Sequence, residues 1–517
     1  MGPTRKPSVN GSGPADRPPT GWKAYKWRAF VAIGLAFVTI VFASTMVFVL
    51  LSAIADDFGV TLRAVGWVVI VDSLIVSALL LPMGGLADVV GRRRIYVLGL
   101  AVYGVGSVMT GLAPTFAVLI VARVVAALGN ALVQSVMTGM LVAAFPPEER
   151  GRAMGAQTTA VSVGAAVGPL LGGLALQVMP WETLFFLVAA PVAVSIVAAI
   201  AILDDDRKEL SEAPRAFDPI GGLLSAVAVL VLVVTISNPL AFDWLSVPTF
   251  AGGLLVVGLL TGFVRWELAR REPMLELRLF ALGVFRNAVS IRFLGFIGAT
   301  TTSLLLPVYL VSFRGITEGL AGTIIFLVAA GMGISAQISG NVSDRYGPRP
   351  PTIVGLVVQI AVAAVLVVAG RDAPIGLLVP VVFLAGVGMS LWNVANNTAM
   401  MASVPPRNLA VIGAFTNVTR TLGTVVGQAV ATAVVVAVMA SDGFDIPLSE
   451  IADTPGAGSA FLAGWQAAYG VVIVVSLAAL PLALLLPSRP VRPEDPVAGV
   501  APAPADEVPA PTGATPR

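Results

Sequence analysis

The chain alternates long apolar stretches with short clusters of glycine, proline, arginine and aspartate. Apolar runs of about 20 residues or more, the length a helix needs to cross bilayer hydrocarbon, fall at roughly 29–54, 64–86, 94–113, 116–142, 153–178, 182–203, 218–237, 247–267, 286–312, 318–338, 350–369, 375–402, 408–439 and 461–486. These are fourteen predicted spans, 1 to 14 in chain order. An even number returns the second terminus to the side of the first.

The basic residues orient the spans. Segments on one side carry Arg92, Arg93, Arg94, Arg150, Arg152, Arg207, Lys208, Arg215, Arg265, Arg270, Arg271, Arg278, Arg286, Arg345, Arg349 and Arg407, whereas the opposite loops hold Arg63, Arg314 and Arg371. Such asymmetry predicts a multi-pass plasma-membrane protein with both termini in the cytosol. Residues 1–27, rich in Pro, Gly and Ser with Arg5, Lys6, Arg17, Lys23 and Lys26, read as a disordered basic leader. The apolar run behind it is too long for a cleavable signal peptide. The tail 488–517 is Pro- and Ala-rich and is also expected to be disordered.

Composition narrows the function classes. Of 517 residues, 57% are hydrophobic and 12% charged, which is outside the range of ordinary soluble domains. With no cysteine there is no disulfide framework or thiolate metal site, and with no histidine a proton carrier must be a carboxylate or another polar group. The net charge of +2 marks no nucleic-acid surface, because the basic residues follow topology. An ATP-binding loop needs glycine directly before lysine, yet Lys6, Lys23, Lys26 and Lys208 follow Arg5, Trp22, Tyr25 and Arg207. Uphill work by this chain alone would need an ion gradient.

Two polar segments repeat. Gly84 to Arg94 follows span 2, Gly340 to Arg349 follows span 10, and both read G-x-x-x-D-x-x-G-x-R. The first glycine of each allows close helix approach, the second a sharp reversal, and the aspartate sits at a helix end. Gly84, Asp88, Gly91 and Arg92, with Gly340, Asp344, Gly347 and Arg349, are therefore candidate cytosolic latch residues. Two copies imply two related halves rocking about a site between them. They lie eight spans apart where two six-helix halves would put them six apart, so spans 7 and 8 read as an insertion. The expected organisation is a six-helix bundle at 28–203, a link at 204–217, two inserted spans at 218–267 and a second six-helix bundle at 268–487.

The loop pair, the span count and the run Gly164-Ala165-Ala166-Val167-Gly168-Pro169-Leu170-Leu171-Gly172-Gly173 together resemble the major facilitator superfamily, specifically its fourteen-helix drug:proton antiporter branch. The resemblance spans roughly residues 29–487. It implies an all-α major facilitator fold in which Gly164, Gly168, Pro169, Gly172 and Gly173 form a hinge and seal. Leu119 to Gly129 around Arg123 is similar to a motif linked to proton coupling, and Asn417 to Gly423 around Arg420 to the branch's N-x-x-R-x-x-G. Relatives usually carry an aspartate in span 1 where this chain has Ala43. Phe48, Asp72 and Val311 likewise replace the branch's usual Asn, Tyr and Gln.

Among the acids, Asp72 alone falls well inside a span, where a charge costs at least about 2.5 kcal/mol. Spans 2 and 4 run in the same direction, and Asp72 and Arg123 sit at similar depth, so the two are expected to pair as a proton-coupling site. Candidate cavity residues are Asn130, Gln134, Tyr309, Trp392, Asn393, Asn396, Asn397 and Arg420. A cavity with few fixed charges suits a lipophilic or amphipathic solute better than a sugar or an anion. The expected function is proton-coupled export of drugs or secondary metabolites by alternating access. Export of a lipid or cell-envelope precursor, or a non-transporting sensor or scaffold, are the alternatives. Expected partners are the small solute, protons and membrane lipids, with the chain a monomer. No enzyme chemistry, cofactor, metal or nucleic-acid partner is expected.

Overall fold

The computed structural model describes residues 22–204, 217–237, 246–270, 273–404, 409–444, 451 and 454–489. Most of the expected leader, link and tail lie outside these residues. Fourteen helices among them are long and apolar enough to cross a membrane. They are α1 (Trp22–Phe58), α2 (Trp67–Val90), α3 (Arg92–Gly111), α4 (Phe116–Ala143), α5 (Arg150–Ala175), α6 (Trp181–Ile202), α7 (Pro219–Ser237), α8 (Val247–Ala269), α9 (Gly283–Val308), α10 (Glu318–Tyr346), α11 (Arg349–Val368), α12 (Ile375–Ala402), α13 (Leu409–Ser441) and α14 (Ala457–Leu484). The protein is an all-helical, multi-pass membrane protein.

Helix boundaries differ from the apolar runs where polar residues find partners. α1 starts at Trp22, inside the stretch expected to be an unstructured leader. Its first turns are held by an ion pair from Lys26 to Glu149 and by Trp27 packing edge-on to Phe145 at 5.6 Å. The two repeated polar segments are not loops. α2 continues to Val90 and α10 to Tyr346, so Asp88 and Asp344 occupy last helical turns. The chain reverses only at Gly91 and Gly347, whose φ angles of +113° and +83° would strain any residue with a Cβ.

Lys26 beside Glu149 places the start of α1 next to the α4–α5 turn. A Cβ on Gly347 would lie 2.7 Å from the Arg489 carbonyl oxygen, which places the end of the described chain beside the α10–α11 turn. Both described ends therefore share one face of the molecule, called here the terminus face.

α1 to α6 pack on one another, chiefly α1 on α5 and α6, α4 on α2 and α3, and α3 on α6. α9 to α14 do the same, with α9 against α12, α13 and α14 and α10 against α12. The two groups meet along α5–α10, α2–α13, α4–α13 and α5–α12. α7 leans on α2 and α13 from outside, and α8 on α7. Val247, Leu254 and Val257 of α8 are 81%, 75% and 63% exposed, an apolar surface suited to lipid. The central space is thus built without α7 and α8.

One polar joint fastens that outer pair. Asp218 caps α7 by accepting from the Gly221 amide at 3.0 Å, and its other oxygen accepts from the Trp266 indole of α8 at 2.8 Å. The Arg270 guanidinium covers that indole at 4.4 Å, and Glu267 accepts from the Leu275 amide at 3.2 Å. Asp218→Ala is expected to destabilise this joint by about 1–2 kcal/mol, read as a lower melting temperature of the purified protein. Asp218→Asn keeps an acceptor oxygen and should fall between the two. Equal melting of wild type and Asp218→Ala would show that the cap contributes nothing.

Candidate functional site

The two halves are tied together on the terminus-face side. Asp88 Oδ2 accepts from the Val411 amide of α13 at 3.2 Å, while Oδ1 accepts from Arg92 Nε and Nη2 at 3.1 and 3.0 Å. Asp344 mirrors it, accepting from the Gly151 and Arg152 amides at the start of α5 at 2.6 and 2.8 Å. Each carboxylate thus meets backbone N–H groups at a helix start in the other half, where those donors lack intrahelical partners. Gly84 and Gly340 make the approach possible: a Cβ on Gly84 would lie 2.8 Å from Ala414 Cβ, and one on Gly340 would strike the Gly151 carbonyl.

Arg349 makes no ion pair within 4.0 Å among the described residues. Arg93, which occupies the equivalent register in the first copy, donates instead to the Ile200 carbonyl at 2.5 Å. Further ties run from Arg150 Nη1 to the Met401 carbonyl at 3.2 Å, from Thr159 to the Gly333 carbonyl at 3.1 Å and from Asn417 Nδ2 to the Gln134 carbonyl at 3.4 Å. Together with Asp88 and Asp344, these close the space between the halves toward the terminus face.

Beyond these ties lies a cavity of about 430 Å³, walled by α1, α4, α5, α9, α10, α12 and α13. Of the sequence-derived candidates, Gln134, Asn393, Asn397 and Arg420 line it. Asn130 stands one step behind, accepting from Gln134 Nε2 at 2.8 Å.

Three candidates lie elsewhere. Asn396 is fully buried and donates to the Trp392 carbonyl at 2.6 Å, on the edge of α12 turned from the cavity. The Trp392 indole donates to Gln359 of α11 at 2.8 Å and packs edge-on against Phe296, so it braces helices instead of facing solute. Tyr309 starts a π-helical turn after α9, donates to the Gly370 carbonyl at 2.8 Å and stacks on Trp465 at 4.4 Å in a separate aromatic cluster. Sequence reasoning did not place Arg292, Gln157 or Gln428 in the lining, where all three sit. Each is a polar side chain within an apolar run, the available signal.

Asp72 and Arg123 do meet: Arg123 Nη2 lies 3.7 Å from Asp72 Oδ1. Arg123 is 5% exposed, and its Nε has no partner among the described residues. Asn130 Nδ2 lies 3.5 Å from Asp72 Oδ2. The order Arg123, Asp72, Asn130, Gln134 therefore forms a polar path from a half-buried acid to the cavity wall.

The glycines of α5 set its seam with α1. A Cβ on Gly164 would lie 2.7 Å from the Val38 carbonyl and one on Gly172 2.9 Å from Met46, while one on Gly168 would strike the Thr45 hydroxyl. Glycines four apart make the smooth stripe that close helix contact needs. Gly173 sits off that stripe, where a Cβ would lie an ordinary 3.8 Å from Val49, and Pro169 is on the exposed side of α5.

A helical bundle of two halves around a polar-lined cavity, shut on one side, defines a membrane transporter. The sequence pattern of the Major Facilitator Superfamily matches residues 33–428. The chain belongs to that superfamily, whose members are transporters and not enzymes. It is 28% identical over 422 residues to the tetracenomycin C resistance and export protein of Streptomyces glaucescens, covering 81% of this chain and 78% of that protein. It is 29% identical over 401 residues to the multidrug resistance protein Stp of Mycobacterium tuberculosis, covering 77% and 74%. The crystal structure of the human organic anion transporter MFSD10 (TETRAN) superposes with a TM-score of 0.63 over 90% of this chain and 100% of that one. At 16% sequence identity it shows a shared fold alone.

The sequence contains no cysteine, so the ties can be tested by labelling. With cysteine introduced at Ser44 in the cavity wall, the double variant Asp88→Ala/Asp344→Ala is expected to label from the terminus face, where the Ser44→Cys protein alone does not. Each lost carboxylate removes charge-assisted bonds of about 1.5–3 kcal/mol, enough to shift the population about tenfold or more. Unchanged labelling would show that the carboxylates do not hold the halves together.

Proposed function

We propose that this protein exports hydrophobic or amphipathic small molecules, drugs or secondary metabolites, across the plasma membrane in exchange for protons. The observation that carries this reading is the path from Asp72 through Asn130 and Gln134 to the cavity. It gives the carboxylate absent from α1 at Ala43 a replacement on α2 that is sheltered from solute but joined to the solute space. The relatives named for tetracenomycin C resistance and export and for multidrug resistance favour the same solute class.

In this reading the terminus face is cytosolic. The Asp88 and Asp344 ties hold the protein in the form closed to the cytosol. Rocking of α1–α6 against α9–α14 breaks them and opens the cavity inward, with the α5–α1 glycine seam moving as one piece. The exchange couples because Asp72 changes its charge when it takes or yields a proton, and its bonds to Arg123 and Asn130 change with it. Solute and proton then compete for occupancy of the protein, so that solute release favours proton uptake and solute binding favours proton release.

In inverted vesicles, Asp72→Asn is expected to abolish solute-induced proton release while the protein still binds solute. Asn130→Leu, which leaves the cavity lining intact, should weaken the coupling in the same direction. Proton release at the wild-type level in Asp72→Asn would remove Asp72 as the coupling group.

A further inference from the structure

We infer that the cavity is an anion site: its solute carries a carboxylate, phenolate or similar acidic group, received by the guanidinium groups of Arg420 and Arg292. This deepens the export reading and rests on it. The cavity lining holds two arginines and no aspartate or glutamate. The expectation of an almost uncharged cavity therefore does not describe this chamber.

Neither arginine is neutralised by the protein among the described residues. Arg292 donates from Nε to the Thr416 carbonyl at 3.1 Å and from Nη1 to Asn393 Oδ1, and it lies over the Phe296 ring at 5.0 Å. Those contacts fix the planar group in place but add no negative charge. Arg420, half-buried in the cavity wall, has no ion pair and no side-chain hydrogen bond among the described residues. Asp72 cannot serve either, since it is paired with Arg123 behind Asn130.

A cation within a membrane-spanning bundle persists when it faces a water-filled cavity or finds an anion. Two on one wall, one pinned by neutral acceptors and one left free, make a receptor whose missing component is an acid. Guanidinium suits the task because its fork meets both oxygens of a carboxylate at once.

The first half of the protein supplies the other part of the solute's description. Phe37, Ile40 and Val41 of α1, with Met137 and Val161, are the apolar part of the first half's share of the lining, beside the uncharged Gln134 and Gln157, whereas both arginines come from the second half. The volume of about 430 Å³ lies in the range of small-molecule sites. An acidic head on a ring-like apolar body fits this division, whereas a cationic amphiphile meets two like charges and no carboxylate.

The test uses three probes with one ring system and one chain length: pyrenebutyrate, pyrenebutanol and pyrenebutylamine. Binding is measured to the full-length protein in nanodiscs, and movement is measured in proteoliposomes. The acid is expected to bind about tenfold or more tighter than the alcohol or the amine, the scale of one charge-assisted bond. Arg420→Gln should bring the acid to the alcohol's affinity without changing alcohol binding, which also reports that the variant is folded. Arg420→Lys should restore part of the preference, and Arg278→Gln, outside the cavity, none of the loss.

Equal affinity for the three probes, tighter binding of the amine, or an acid preference untouched by Arg420→Gln would each overturn the anion site. Movement of the alcohol or amine with no acid preference overturns the anion site and leaves the export reading standing. Acid-selective binding that depends on Arg420, with no probe moved, keeps the anion site and removes the export reading.

Discussion

Hydrocarbon offers a charge neither water nor counterion, so each ionised side chain within the spans must be matched or wetted, at a cost otherwise of at least about 2.5 kcal/mol. The arrangement of this protein follows from that constraint. Asp72 and Arg123 meet each other within the first half, and the acid's other oxygen faces Asn130. Arg292 and Arg420 meet no acid and instead line the shared cavity. These four charges deep within the spans thus form one matched pair in the first half and one wall without an acid in the second.

The same logic accounts for the ties at the terminus face. Helix starts carry N–H groups that no preceding turn can satisfy. Asp344 supplies acceptors for two of them at Gly151 and Arg152, and Asp88 for one at Val411. These bonds cross between halves, so they hold only while the halves are together. The bonds that shape each half, such as Trp392 to Gln359 or Ser107 to the Phe185 carbonyl, remain within it. α7 and α8 do not interfere, because their Asp218 joint fastens them to each other and they pack from outside.

What was legible in the sequence tracks which physical signals are one-dimensional. Span number came through because bilayer thickness dictates run length. The Asp72–Arg123 pair was readable because both residues lie at similar depth on spans running the same way. Side-chain direction was harder. Asn393, Asn396 and Asn397 look like one helical face by spacing, yet a difference of a single position puts Asn396 against its own helix backbone while its neighbours open on the cavity. Trp392 and Tyr309 are amphipathic, and their polar tips found Gln359 and the Gly370 carbonyl, partners that only the packed structure supplies. The repeated polar segments resemble loops by their polarity, which carries no information on helix continuity, yet they are helical to Val90 and Tyr346. Their aspartates bond most effectively from a rigid last turn.

The acid path and the arginine wall are not independent, because they approach each other at one inter-half contact. Gln134 ends the path that begins at Asp72, and its backbone carbonyl accepts from Asn417 of α13 at 3.4 Å. Arg420 lies three residues, just under one turn, along the same helix from Asn417. A rigid helix transmits a shift at one of these positions to the other, and the Asn417 contact is among those that separation of the halves must break. A change in charge at Asp72 that alters how Asn130 and Gln134 are held therefore bears on the strand of contacts that positions Arg420. Occupancy of the arginine wall bears on it from the other side. The proposed coupling thus starts locally, in one polar path and one helix turn, at a contact that the rocking of the two halves has to break.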